Sequence, residues 1–182
     1  RDTRSAFRRR LCLQYQLPED VFLPLYVGAN QRRKLLDWVL IAYCELLRRH
    51  PKSFLLLHTQ ALSPAAGWDL PKMFRSLGLE EGKHVGFTDK SRYISQEELN
   101  LYYNASDCLL LPSAEGWGLP ATEAMACGLT PILGEHAALA EVGEGRCIPV
   151  HCPEDPNHIR ILPRDNEVIR RVPDINEAVS AM

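Results

Sequence analysis

The chain has 182 residues and a net charge of −2, with 46% hydrophobic and 24% charged residues. That is enough chain for one domain with a full core and too little for two ordinary ones. The near-neutral balance argues against nucleic acid or an acidic membrane as a partner. Six cysteines stand at 12, 44, 108, 127, 147 and 152 with no C-x-x-C pair. This usage points to reduced thiols and a cytoplasmic location rather than a disulfide framework. No apolar stretch reaches the ~18 residues a membrane span needs. The chain opens on Arg1 rather than Met and without a signal peptide, so it reads as an excised piece of a longer protein.

Short apolar runs alternate with amphipathic helical ones along the chain. "RSAFRRRLCLQYQ" reads as a helix, and "VFLPLYVG" as a strand in which Pro24 implies a bulge or an unpaired position. "RRKLLDWVLIAYCELLRR" reads as one long helix, apolar nearly all round in its middle and so largely buried. "SFLLLHT" predicts a strand, "DLPKMFRSLGL" a short helix ending near Gly78, and "KHVGFT" a further strand. "SQEELNLYYNAS" opens with Ser95 and Glu98 in capping-box spacing, and Leu99, Tyr102 and Tyr103 make its apolar stripe. "DCLLL" predicts a strand and "PATEAMACG" a helix with Pro120 at its start and Gly128 just past its end. "LTPIL", "AALAEV" and "RCIPV" follow as strand, helical turn and strand. Residues 152–173 break the pattern; "HIRIL" and "EVIRRV" about Pro163–Asn166 suggest a peripheral hairpin, and a last helix starts at Asp174. The alternation argues for an α/β fold, a single Rossmann-like domain with a mostly parallel sheet of about six strands and helices on both faces. Ligands of such sheets bind beyond the carboxyl ends of the strands, where Gly28 and residues 115–120 fall.

Three features carry possible chemistry. The helix after Pro120 has Gly118 and Leu119 before it, so no side chain is available as N-cap. The amides of Thr122 and Glu123, with those of Gly118 and Leu119, are then left for a phosphate or, equally, for water around a glycine turn. Arg32, Arg33 and Lys34 stand at the predicted start of a helix, where positive charge opposes the macrodipole. An anion between them and the sheet would explain that, as would a solvated face. Glu115 lies in the loop and Glu123 in the first turn of its helix, a favoured place for a carboxylate and one suited to a vicinal diol. His58 ends a strand at the same edge and reads either as a pocket residue or as a satisfied structural histidine. No D-x-D or H-E-x-x-H occurs, the spacing of Cys147, His151, Cys152 and His158 fits no familiar zinc pattern, and no metal is expected. No G-x-S-x-G is present either. "GWGLPA" fits G-x-G-x-x-A, with Glu135 17 residues after Gly118, which would make the chain part of an NAD-type oxidoreductase. Against it stand the four residues "PSAE" between strand and first glycine, Pro120 inside the turn, and the lack of a task for Glu115 and the basic cluster.

"SAEGWGLPATEAMACGLTPIL" resembles the E-x7-E region of retaining glycosyltransferases of the GT-B fold, family 4 in particular. "YVGANQRRKLLD" resembles the basic phosphate loop of that family, and "EELNLYYNASDCLLLPS" the approach to its E-x7-E motif, so the likeness runs from about Phe22 to Gly145. The resemblance implies that residues 1–182 form the C-terminal, nucleotide-sugar-binding domain, one half of a GT-B fold. The N-terminal acceptor domain would be supplied in cis from outside this chain. It implies that Glu115 contacts the donor sugar, that Gly116, Trp117, Gly118 and Leu119 line the sugar and diphosphate, and that Glu123 holds the ribose. Lys34, with Arg33 as a second contact, would neutralise the leaving diphosphate; Gly28 and Arg32 would belong to the donor-binding set, and the segment from Val85 to Thr88 would lie near the base. Ala29 stands where many relatives carry Arg. No cofactor is implied; the substrate would be a nucleotide-diphosphate sugar, of uridine or guanosine type ahead of adenosine. A domain of this fold that has kept nucleotide binding or a scaffold role without catalysis is the remaining alternative.

Overall fold

The computed structural model describes residues 2–63, 67–88, 94–161 and 169–182. Six strands form one all-parallel sheet: β1 (Pro24–Val27), β2 (Leu55–His58), β3 (Val85–Phe87), β4 (Cys108–Leu111), β5 (Pro131–Gly134) and β6 (Ile148–Val150). Their spatial order is β3-β2-β1-β4-β5-β6. The chain builds outward from β1 to one edge, returns to the other side of β1, and builds outward again. The crevice between the carboxyl ends of β1 and β4 is the switch point where ligands of such sheets collect.

Near-continuous apolar strands are what a sheet covered on both faces requires. With side chains alternating in direction, Tyr26, Leu55, Leu57, Leu110 and Ile132 enter one core cluster, and Leu25, Leu56, Leu109, Leu111 and Leu133 the other. The first cluster is closed by α2 (Leu36–Arg49), α3 (Leu70–Leu77) and α7 (Ile175–Ala181). The second is closed by α1 (Asp2–Tyr15), α4 (Gln96–Ala105), α5 (Leu119–Ala126) and α6 (Ala138–Val142). Pro24 is the first residue of its strand, so its missing N–H interrupts no ladder and no bulge is needed.

Local signals end the helices where the sequence places them. Asp69 and Ser95 accept from the amides three residues on and cap α3 and α4. Gly78 takes the left-handed conformation at the end of α3. The helix predicted from Arg32 to Arg49 is corrected. Arg32–Lys34 form a separate 3-10 turn, Leu35 is left-handed with φ 52°, and α2 starts at Leu36. Leu35 is buried, and keeping its side chain in the core turns the backbone out of helical register. The first turn of α2 therefore holds Asp37 instead of the basic cluster, the sign the macrodipole favours.

Residues Ile159–Ile161 (β7) and Ile169–Arg171 (β8) pair antiparallel as a two-stranded ribbon outside the main sheet. Its turn lies outside the described residues. Arg160 on β7 ion-pairs with Asp37 on α2, and Trp38 Nε1 donates to the Pro173 carbonyl at 2.8 Å, so the ribbon and α7 are fastened to α2. No helix among the described residues is long and apolar enough to cross a membrane, and all six cysteines carry free thiols.

Candidate functional site

The loop after β1 is fixed from below by Asn30, which is 1% exposed. Its Nδ2 donates to the carbonyls of Gln60 and Trp68 at 2.9 and 2.8 Å, and its Oδ1 accepts from the Trp68 amide at 2.9 Å. The β1 and β2 loops are thereby tied together. This residue went unnoticed in the sequence, although an Asn in the loop two residues after the glycine that follows a strand is a recognisable loop-fixing signal. Gly28 precedes it, and its amide donates to the His58 carbonyl at 3.1 Å. A Cβ on Gly28 would stand 2.8 Å from the Tyr26 hydroxyl. Glycine here is explained by the phenol running beneath it.

From this loop the 3-10 turn throws its three basic side chains in different directions. Arg32 stacks over the Trp68 ring, 4.5 Å from the centroid, and is drawn off toward the α3 side. Lys34 reaches across the switch point to the loop after β4. Its Nζ lies 2.5 and 2.6 Å from the two carboxylate oxygens of Glu115. The two side chains are only 14% and 11% exposed. Ser113, fully buried, donates its hydroxyl to Glu115 Oε1 at 2.6 Å. Arg33 engages no hydrogen-bond or ion-pair partner among the described residues, yet its charge is felt by the Tyr26 phenol nearby. Lys34, Arg33 and Glu115 therefore share one location, and Arg32 lies at its rim.

Beyond Glu115 the chain turns through Gly116 and Gly118. Gly118 has φ 84° and is the N-cap of α5, with no side-chain cap; a Cβ there would also collide with Leu139 of α6. Nothing crowds Gly116, so its lack of a side chain keeps the backbone open to approach. Trp117 is 59% and Leu119 63% exposed. Two expectations about this helix start are corrected. The Gly118 carbonyl already accepts from the Ala121 and Thr122 amides at 2.8 and 3.3 Å, so the Thr122 amide is not open, whereas those of Gly118 and Leu119, with Trp117, engage no acceptor among the described residues. Glu123 is the fifth residue of α5, and no acid lies in that helix's first turn.

Among the described residues Glu123 shares no hydrogen-bond partner with Lys34. Its carboxylate accepts from the Tyr103 hydroxyl at 2.7 Å and borders a cleft of about 470 Å³ between α4 and α5, together with Gln96, Asn100 and Asn104. Among the described residues no partner is common to Glu115 and Glu123, so they do not form a carboxylate dyad. Thr88 stands at the carboxyl end of β3, where its hydroxyl meets His58 Nδ1 at 2.8 Å. Burial lowers the His58 pKa below its ordinary value, while the Glu123 charge pulls it back up; the ring is a hydrogen-bonded member of the floor. Val85 is fully buried in the core at the other end of β3 and is not brought to the site. Cys147, His151, Cys152 and His158 do not converge either: His158 faces Asp155 at 2.7 Å, and the Cys152 thiol donates to the Val150 carbonyl at 3.6 Å.

The comparisons with known proteins agree with this architecture. The family described as "Glycosyl transferases group 1" matches residues 22–160. A D-inositol 3-phosphate glycosyltransferase of Streptomyces bingchenggensis is 33% identical over 163 residues, covering 85% of this chain and 34% of that protein. The chain thus spans about a third of the length of the curated relatives it matches. Among solved structures, the C-terminal domain of a glycosyl transferase group 1 family protein from Francisella tularensis superposes with a TM-score of 0.62 at 22% identity, covering 81% of this chain and 75% of that one. A sucrose-phosphate synthase from Thermosynechococcus elongatus gives 0.61 at 30% identity, over 82% of this chain and 37% of that one. The oxidoreductase alternative finds no support in these matches. The geometry gives the reason: a dinucleotide fingerprint belongs in the first βα turn of such a sheet, whereas "GWGLPA" follows β4 and Pro120 is the second residue of α5. With the 3-2-1-4-5-6 sheet, the Lys34–Glu115 pair at its switch point and the profile match over most of its length, the chain belongs to the glycosyl transferases group 1 family and has the Rossmann-like fold of a GT-B C-terminal domain.

Proposed function

We propose that the chain is the donor-binding domain of a retaining, metal-independent family 4 glycosyltransferase, moving a sugar from a nucleotide-diphosphate sugar to an acceptor held by an N-terminal domain in cis. The observation that carries this reading is the Lys34–Glu115 pair, set at the switch point beside the open amides of Trp117, Gly118 and Leu119. Glycosyl transfer passes through an oxocarbenium-like state while a diphosphate departs, so negative charge grows on the phosphate oxygens. Lys34, Arg33 and the start of α5 would hold that charge. Glu115, acceptor-only when ionised, would bind the transferring sugar's hydroxyls. Glu123 and the amide-rich cleft beside it would take the ribose end, with Thr88 toward the base. Uridine and guanosine diphosphate sugars are the proposed donors ahead of adenosine ones. The free thiols support a reducing, cytoplasmic setting.

The test is a titration of the purified chain with UDP, GDP, ADP and their sugars. At a ligand concentration 100 times Kd, binding is expected to add about 2.7 kcal/mol of stability, read as a raised melting temperature, with little sugar transfer by this chain alone. The reading is overturned if none of these ligands moves the melting curve. Retention is tested on the longer protein by NMR of the product's anomeric centre. Full activity there after Glu115→Ala and Lys34→Ala would instead identify a domain without a catalytic role.

A further inference from the structure

Among the described residues, the Tyr26 hydroxyl is a buried polar group near the site that the reading above gives no task. Its ring sits in the core beneath the β1 loop and is fully buried. Its hydroxyl has no hydrogen-bond partner among the described residues. Buried hydroxyls are nearly always satisfied, so an orphan of this kind calls for a reason. The hydroxyl has been carried two residues along β1 to the carboxyl edge, as its 2.8 Å distance from a Cβ on Gly28 shows. Burial first, and then the charge of Glu115, raise the phenol's pKa, while Arg33 opposes them; the group is a firm O–H donor with that carboxylate's charge close by.

At rest Glu115 takes its bonds from Lys34 and Ser113, with both Lys34 bonds in place and Ser113 on Oε1 only. A carboxylate has about four acceptor positions, so Oε2 retains capacity. Once Lys34 turns to a diphosphate, Glu115 would keep Ser113 as its one protein donor until sugar hydroxyls reach it, a costly state for a largely buried charge. We infer that Tyr26 is a positioning residue: its hydroxyl is the standby donor that takes over Glu115 when Lys34 leaves, keeping the carboxylate ionised and aimed while the lysine serves the phosphate. The departure of Lys34 rests on the donor-site reading above; the pairing of Tyr26 with Glu115 does not.

The experiment is a double-mutant cycle on the melting temperatures of wild type, Tyr26→Phe, Lys34→Met and the double variant, without ligand. Tyr26→Phe in the wild-type background is expected to leave the midpoint unchanged or raise it, because it removes an unpaired hydroxyl. In the Lys34→Met background the same change is expected to lower the midpoint by about 2–4 °C, the shift expected for one hydrogen bond in a domain of this size. Equal effects in both backgrounds overturn the inference, since a purely structural tyrosine would not sense Lys34. The second arm titrates UDP and inorganic pyrophosphate into wild type and Tyr26→Phe by calorimetry. About tenfold weaker binding in the variant is expected, and unchanged binding counts against the inference. Should Lys34→Met not fold, this arm decides. Should wild type bind neither ligand, the donor reading falls and the cycle alone decides Tyr26.

Discussion

At the scale of single residues, the site depends on groups whose charge is held in partial burial. The Lys34–Glu115 pair is too enclosed to be treated as a surface ion pair. Glu115→Gln keeps the shape and the Ser113 contact but leaves the lysine without its counter-charge. It is expected to cost about 3 kcal/mol, measured by urea denaturation. His58 supplies a pH effect. Its folded-state pKa is lowered by burial, and so is that of His136, whose Nε2 meets the Pro112 carbonyl at 3.2 Å. An unfolded chain binds protons on both at higher pH than the folded one. The stability they contribute is therefore complete above about pH 6.5, the usual histidine value, and is lost as pH falls through the lower folded-state values. The urea midpoint is expected to drop between pH 7 and pH 5, with a shallower drop in His58→Gln; identical slopes would remove His58 from this account. Lys34 and Glu115 were legible as candidates from the residues around them. Their partnership was not, because 81 positions separate them and no local pattern encodes which loops meet.

At the scale of elements, most boundaries were written in caps and breakers that act within a few residues. Ser95, Gly78, Pro120 and Gly128 each stand where the sequence rules place them. Removing the Ser95 hydroxyl is expected to cost about 1 kcal/mol, seen as a melting shift of about 2–4 °C. Gly118→Ala is expected to cost more, because the site combines a positive φ with a collision against Leu139. A melting loss no larger than that of Ser95→Ala would contradict the fit drawn here between α5 and α6. The misread element is the start of α2. Periodicity runs unbroken from Arg32 to Arg49, but the burial of Leu35 overrides it. Propensity is a weak prior against tertiary packing, and the left-handed Leu35 is where packing prevailed. The break also has a use, since it lets Lys34 leave the axis of α2 and reach the β4 loop.

At the scale of the molecule, the central strands β1 and β4 are paired on both sides and covered on both faces, whereas the β7–β8 ribbon exposes Ile161 and Ile169. Hydrogen exchange is expected to be slowest in β1, β2 and β4 and much faster in β7 and β8; equal protection would mean that the ribbon is bound more tightly than the Arg160–Asp37 pair to α2 suggests. The alternation of apolar runs and amphipathic helices determined the fold class, since only a sheet covered on both faces buries so many continuous apolar strands. The glycines, acids and cations of the two loops determined where chemistry should be sought. What the tertiary structure alone decided is the neighbourhood of β1 and β4, because strand order is set by how the helices pack over both faces rather than by adjacency in the chain. That placement joins Lys34 to Glu115, sends Arg32 to Trp68, sets Glu123 apart beside Tyr103, and leaves the Tyr26 hydroxyl buried beneath them. Each of these outcomes rests on contacts between segments far apart in sequence, which no local residue pattern contains.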